Sequence, residues 1–176
     1  LSVAAAATYT TWPLIGVIAG ALSGGFVVDC VYQLTGSRKV SRVGIAAGAL
    51  ACCAALTFAA TLAKSPAVFA LLLAAGAFLS GMANPPAWAA TMDIAGRHTA
   101  VAMGVMNMTG AAAGFTVPNR LGMLINRIKT DGGDWNGVIL IHVVFYLCAA
   151  LSWLLVNPDR PIDGRDDVTT PDVVEG

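Results

Sequence analysis

The sequence has little charge. Only 11% of its 176 residues are Asp, Glu, Lys or Arg, whereas a soluble domain carries about 25%. Hydrophobic residues make up 57% of the chain, and the mean hydropathy is +0.73. Such a chain has too few polar side chains to cover the surface of a soluble fold. This composition excludes an ordinary soluble domain and favours a membrane protein.

Motifs for catalysis, metal binding and nucleic-acid binding are also missing. The chain contains no H-E-x-x-H, no P-loop and no G-x-S-x-G. Its charges balance, and no basic run is longer than Arg38-Lys39, so nothing indicates a nucleic-acid partner. The four cysteines show no C-x-x-C spacing and no histidine placed as a fellow ligand, so we expect small buried hydrophobes. We therefore expect no enzyme, no metal and no organic cofactor.

The N-terminus lacks both a Met and a positively charged segment ahead of its apolar residues. A secretory signal peptide needs that charged segment, so the start does not fit one. We expect the chain to be the C-terminal part of a longer protein, whose missing N-terminal half would be its partner in the complete molecule.

Long apolar runs are what the sequence does contain. A bilayer core of about 30 Å needs roughly 20 mostly apolar residues per helix. Five stretches qualify, which predicts an all-α, polytopic transmembrane bundle over residues 1–157. The predicted spans lie at about 8–32, 43–62, 68–92, 99–125 and 135–156. Residues 158–176 form a polar tail that we expect to be disordered.

The basic residues near the ends of these spans predict an orientation, because such residues favour the cytoplasmic side. One side would carry Arg38, Lys39, Arg42, Arg97, Arg160 and Arg165. The opposite side would carry Lys64, Arg127 and Lys129, with Arg120 near a helix end. We therefore predict a multi-pass protein of the inner or plasma membrane, surrounded by lipid, with a cytoplasmic C-terminus.

Glycines recur at four-residue spacing within the predicted spans. The three stripes are Gly16, Gly20 and Gly24; Gly44 and Gly48; and Gly110 and Gly114. Helices in lipid associate by close approach of their backbones, which small residues permit. The stripes predict a compact bundle but no particular function.

Several polar groups interrupt the apolar runs. Asn84-Pro85-Pro86 must kink or break the third span, either for packing alone or to shape a cavity wall. Asn107 lies near mid-bilayer in the fourth span, where its amide needs a partner from another helix or from a ligand. Arg120 is within snorkelling reach of the interface or contacts an anion. His142 is the sole histidine within a span and leaves a proton-coupling role open.

Two groups of motifs resemble the major facilitator superfamily. "GGFVVDCVYQLTGSRKVSR" resembles its cytoplasmic loop signature, although Cys30 replaces the usual basic residue. The matching residues are Gly25, Asp29, Arg38 and Lys39. "W-x-x-x-x-D-I-A-G-R-H" followed by "G-x-x-N-x-x-G-x-x-x-G-x-x-x-P" is similar to the anion:cation symporter branch. It is carried by Trp88, Asp93, Arg97, Gly104, Asn107, Gly110, Gly114 and Pro118. "DWN" at 134–136 and "NPDRPI" at 157–162 also look like that branch.

The resemblance implies a fold of twelve helices in two halves, of which this chain would supply helices 8 to 12. It implies secondary active transport of small organic anions, such as sugar acids or other carboxylates, with H+, or alternatively Na+, as the coupling ion. The implied gate and loop residues are Gly25, Asp29, Arg38, Lys39, Asp93 and Arg97. The candidate substrate residues are Trp88 and Asn107, with Asn84 and Thr91 as weaker candidates.

Two other classes of protein remain as alternatives. A membrane scaffold would need only the glycine stripes, and its polar residues would be scattered. A membrane-embedded enzyme would need Asp93 and His98 to share a pocket with a nucleophile or a metal. Convergence of Asn84, Trp88 and Asn107 on one cavity would favour the transporter.

Overall fold

The computed structural model describes residues 3–131, 133 and 135–162, and in these residues the chain is all-α. The helices are α1 (Val3–Thr35), α2 (Ile45–Thr61), α3 (Pro66–Met82), α4 (Asn84–Ala95), α5 (Thr99–Asp131) and α6 (Asn136–Trp153). A π-helical turn, Lys39–Gly44, leads into α2, and a 3-10 turn, Gly96–His98, joins α4 to α5. No strand occurs among these residues, so the all-α prediction is confirmed.

Four helical stretches of the described chain are long and apolar enough to cross a membrane. They are Ala7–Thr35, Lys39–Thr61, Pro66–Asp131 and Asn136–Trp153. The third stretch has 66 residues and would be roughly 100 Å long if straight, about three times the hydrocarbon thickness. Gly96, with a φ of 50°, ends α4 and separates it from α5. The stretches fit a multi-pass membrane protein. The number of membrane spans, five, remains a prediction.

The third predicted span is interrupted where the prolines require it. α3 ends at Met82, and α4 begins at Asn84 after the single residue Ala83. Pro85 and Pro86 therefore lie in the first turn of α4, where their missing N–H groups have no intrahelical acceptor to lose. The side chain of Pro86 is fully buried. The break is thus fixed by backbone chemistry and held by packing.

α1 and α3 run parallel with their backbones in direct contact. A Cβ built on Gly16 would lie 2.5 Å from the carbonyl oxygen of Ala74, and one on Gly24 would lie 2.7 Å from that of Met82. A Cβ on Gly20 would overlap the carbonyl oxygen of Phe78. Only glycine permits this approach, which maximises van der Waals contact where lipid supplies no hydrophobic driving force. The first predicted stripe is therefore a helix contact.

The other two stripes have no such contact within the described chain. The Cβ positions of Gly48, Gly110 and Gly114 have nothing within 4 Å, and that of Gly44 reaches only the Val40 side chain at 4.0 Å. Within the described chain, only the first of the three stripes therefore lies against another helix. The four-residue spacing of glycines lets another helix approach the backbone closely, but it does not determine which helix does so.

The core of the bundle consists of small residues from α2, α6 and the α3–α4 junction. Its buried members are Ala46, Ala49, Leu50, Ala83 and Ala150, and Leu79, Tyr146, Ala149 and Trp153 pack against them. Large apolar residues point outward instead, for example Leu22 at 77% exposure and Phe115 at 76%. This distribution fits a protein whose outer surface faces lipid.

α5 is the least packed helix of the described chain. It has no buried residue, and its main neighbour is α4. The helix contains Pro118 and continues to Asp131. Its position leaves a long apolar and glycine-bearing surface without a neighbour in the described residues.

The segment after α6 folds back across one end of the bundle. Pro158 is fully buried, and the backbone N–H of Ile162 donates to the carbonyl oxygen of Ile94, 2.9 Å away. The tail expected to be disordered from residue 158 is thus packed against α4 up to residue 162. Residues 163–176 lie outside the described residues.

Candidate functional site

Three of the predicted substrate residues follow the break between α3 and α4. Asn84, Trp88 and Thr91 are spaced four and three residues apart, which puts them on one side of α4. Asn84 is exposed, Trp88 is 36% exposed and Thr91 is half-buried. In the described chain the Asn84 amide forms no hydrogen bond. This side of α4 therefore presents an amide and an aromatic ring that a ligand can contact.

The same side of α4 meets α5 at Thr91. The Thr91 hydroxyl lies 2.8 Å from the carbonyl oxygen of Ala87 and 3.0 Å from the sulfur of Met106. Asn107 is the next residue on α5, is exposed, and forms no hydrogen bond with any described residue. The structure therefore brings α5 beside Thr91, but it forms no hydrogen bond between Asn107 and the α4 residues.

A charged cluster lies at the other end of α4. The Nε of Arg42 donates to the Oδ2 of Asp93 across 3.2 Å, with the two side chains 13% and 20% exposed. The guanidinium carbon of Arg42 also lies 5.4 Å from the centre of the Tyr32 ring. Charged pairs that are mostly withdrawn from water interact more strongly than surface pairs. The contact joins the turn before α2 to the end of α4, and Tyr32 adds the end of α1.

Arg38 belongs to the same cluster. A hydrogen bond with the Tyr32 side chain and the nearby carboxylate of Asp93 raise the pKa of Arg38, with a smaller effect from Asp159. The residue is half-buried beside the turn that leads into α2. Its guanidinium is charged at every pH at which a protein stays folded. The cluster thus contains two permanent cations and one carboxylate.

The other predicted gate residues are outside this cluster. Asp29 and Lys39 are exposed and form no ion pair with the described residues. Arg97 is exposed, and its Nε donates to the Nε2 of His98 at 3.2 Å. Gly25 has open space at its Cβ position. Of the predicted set, the structure brings Arg38 and Asp93 into one cluster.

A separate cavity of about 280 Å3 lies between α1, α2, α3 and α6. Its polar lining comes from Cys53, Thr57, His142 and Tyr146. The Nδ1 of His142 lies 2.9 Å from the carbonyl oxygen of Val138. The Thr57 hydroxyl donates to the carbonyl oxygen of Cys53 at 2.8 Å. No acidic or basic residue other than His142, Cys53 and Tyr146 is among the described residues that line the cavity.

Two members of the charged cluster were not predicted as site residues. Arg42 is 51 positions from Asp93 in the chain, and Tyr32 lies within the loop signature, between Asp29 and Arg38. The only available signal was their position beside predicted loop residues at the ends of two different spans. Sequence spacing alone cannot pair residues on helices whose packing is unknown.

Comparison with known proteins gives two matches. A family model described as Major Facilitator Superfamily matches residues 1–172. The probable sulfoacetate transporter SauU of Cupriavidus necator (strain ATCC 17699) is 30% identical over 166 residues, which cover 92% of this chain and 36% of that protein. The chain therefore spans little more than a third of the length of the curated relative that it matches.

Proposed function

Because this chain belongs to the major facilitator superfamily, we propose that it is part of a secondary active transporter of small organic anions. Family membership puts it among transporters and not enzymes. The relative's name supports substrates such as sulfonates, and the motifs "WAATMDIAGRH" and "GVMNMTG" support sugar acids and other carboxylates of the anion:cation symporter branch. Transport is a property of the whole protein, of which this chain covers a part.

The side of α4 after the helix break is the observation that carries this proposal. Asn84 and Trp88 are accessible there, the Asn84 amide has no hydrogen bond within the described chain, and Asn107 on the neighbouring α5 is in the same state. Unsatisfied amides at membrane depth are costly unless they face a ligand, water or another part of the protein. Amide N–H groups donate to sulfonate or carboxylate oxygens, and the indole forms an apolar wall.

The charged cluster supports alternating access. In transporters of this kind, two halves rock around a central site. The Arg42–Asp93 pair ties together the ends of helices that such a motion must rearrange, and it lies at the end that we propose is cytoplasmic. We assign these two residues and Arg38 to the gate, and Asn84, Trp88, Thr91 and Asn107 to the substrate site.

We further propose that H+ drives transport, with Na+ as the other candidate. A substrate anion entering a cell moves against the membrane potential, at about 2.3 kcal/mol per charge per 100 mV. Cotransported cations remove this cost and add the energy of their own gradient. The cation site is expected in the rest of the protein.

Uptake of radiolabelled sulfoacetate and a sugar acid by the full-length protein in proteoliposomes tests the proposal. We expect Asn107→Ala to raise the KM about tenfold, because a hydrogen bond to a charged group contributes about 1.5 kcal/mol or more. Asn119→Ala is the matched control on α5, because the Asn119 amide is already satisfied by the carbonyl oxygen of Phe115 at 2.9 Å. Its KM should equal that of the wild type.

The result also separates the alternatives. Equal KM values for Asn107→Ala, Asn119→Ala and the wild type would remove Asn107 from the substrate site. Absence of uptake for every anion, with correctly inserted protein, would favour the scaffold. Uptake that survives a protonophore but stops when Na+ is replaced by K+ would assign the coupling to sodium.

A further inference from the structure

The segment Asn157–Ile162 is built as a preformed turn. The Oδ1 of Asn157 accepts the N–H of Asp159 at 3.2 Å, and the carbonyl oxygen of Asn157 accepts the N–H of Arg160 at 3.4 Å. Pro158 and Pro161 restrict the backbone further, which lowers the entropy lost when the segment docks. The buried ring of Pro158 anchors the turn in the protein.

The docked segment satisfies a backbone group at the end of α4. Because Gly96 ends this helix, its last carbonyl groups have no intrahelical donor. The N–H of Gly96 bonds to the carbonyl oxygen of Met92, and the N–H of Ile162 bonds to that of Ile94. Ile94 directly follows Asp93, the acidic member of the ion pair. The contact thus holds the backbone beside the carboxylate.

The segment also places an acidic residue near the charged cluster. Asp159 is close enough to Arg38 to favour its charged form, and Arg38 belongs to the cluster around Asp93. The segment contacts α4 directly through its backbone. The hydrogen bond to Ile94 and the buried ring of Pro158 hold it against this end of the bundle.

We propose that Asn157–Ile162 is a clasp that positions the end of α4, and with it Asp93, for the gate contact with Arg42. This inference rests on the proposed transport function. When the gate rearranges, the end of α4 and the segment after α6 then move as one unit. The clasp residues touch no substrate, so they act only by positioning.

The test compares Ile162→Pro with Ile162→Ala in the full-length protein. Proline removes the N–H donor, whereas alanine keeps it and trims a side chain that is 69% exposed. Hydrogen–deuterium exchange of peptides covering residues 90–98 should be about three- to tenfold faster in Ile162→Pro, since a net hydrogen bond contributes about 0.5–1.5 kcal/mol. Ile162→Ala should match the wild type. Uptake should fall about threefold or more only in the proline variant.

The exchange measurement and the uptake measurement can each contradict the proposal independently. Equal exchange in both variants would overturn the clasp, and faster exchange with unchanged uptake would overturn its gate role. A wild type that transports none of the anions would instead refute the proposed function, while the exchange comparison would still decide whether the clasp holds α4. If Ile162→Pro does not reach the membrane, Asn157→Ala removes the turn acceptor and keeps every backbone donor. It should then accelerate exchange about twofold.

Discussion

α1 and α5 carry glycines at the same four-residue spacing, but their surroundings are opposite. Gly16, Gly20 and Gly24 lie against the backbone of α3, while Gly110 and Gly114 have nothing within 4 Å among the described residues. Both helices are 33 residues long and contain an internal proline. These shared features therefore do not explain why one helix is packed and the other is not.

The comparison teaches that a small-residue stripe sets how close a partner can come and leaves the partner's identity open. On α1 the partner, α3, has its own glycine at the crossing, since a Cβ on Gly81 would overlap the carbonyl oxygen of Val17. Both helices thus supply small residues to this contact. α5 finds no equivalent surface within the described chain, and it carries Asn107 on its exposed length.

The largest effect on stability is expected from disrupting the contact between α1 and α3. Gly20→Ala puts a Cβ onto the carbonyl oxygen of Phe78, and backbone cannot rotate away as a side chain can. We expect the full-length protein to lose about 3 kcal/mol of stability, the upper end of the usual cost of overpacking. Gly25→Ala on the same helix has open space at its Cβ and should leave the melting temperature in detergent unchanged. Equal melting temperatures would contradict the contact.

Much of the fold follows from sequence because the bilayer restricts the possibilities. Apolar runs of sufficient length must be helices with internally satisfied backbones, and the two prolines at 85 and 86 fix the break near Asn84. Which stripe meets which helix does not follow, because it depends on surfaces far apart in the chain. The packing of residues 158–162 against the bundle was also not predicted, since their polar composition is equally typical of a disordered tail.

A smaller effect on stability is expected from removing the Arg42–Asp93 ion pair, which links α4 to the turn before α2. Asp93→Asn leaves the guanidinium of Arg42 mostly buried without its carboxylate. The cost should be about 2 kcal/mol, between the values for exposed and fully buried pairs. The double variant with Arg42→Gln should recover about half of this loss in the same melting experiment. Additive losses from the two changes would show that the pair is not coupled.

In the candidate site, as in the fold, some groupings of residues follow from the sequence and others do not. The α4 residues Asn84, Trp88 and Thr91 share a side because helical periodicity dictates it, so sequence alone could group them. Arg42 could not be paired with Asp93 in advance, since that requires the relative position of two helices. Residues grouped by one helix are predictable, and residues grouped by tertiary packing are not.

The smallest effect on stability, and the sharpest test of the open side, is expected at Gly110. Gly110 is three residues from Asn107 and therefore on the same side of α5. Gly110→Leu meets no described atom within 4 Å of its Cβ, so the melting temperature should change little. If α5 borders the substrate cavity, the added bulk should still lower uptake about tenfold. Gly48→Leu, whose Cβ position on α2 is equally open, controls for the larger side chain. Equal uptake by both variants would mean that the exposed side of α5 faces lipid, because a larger side chain lowers transport only where it faces the substrate.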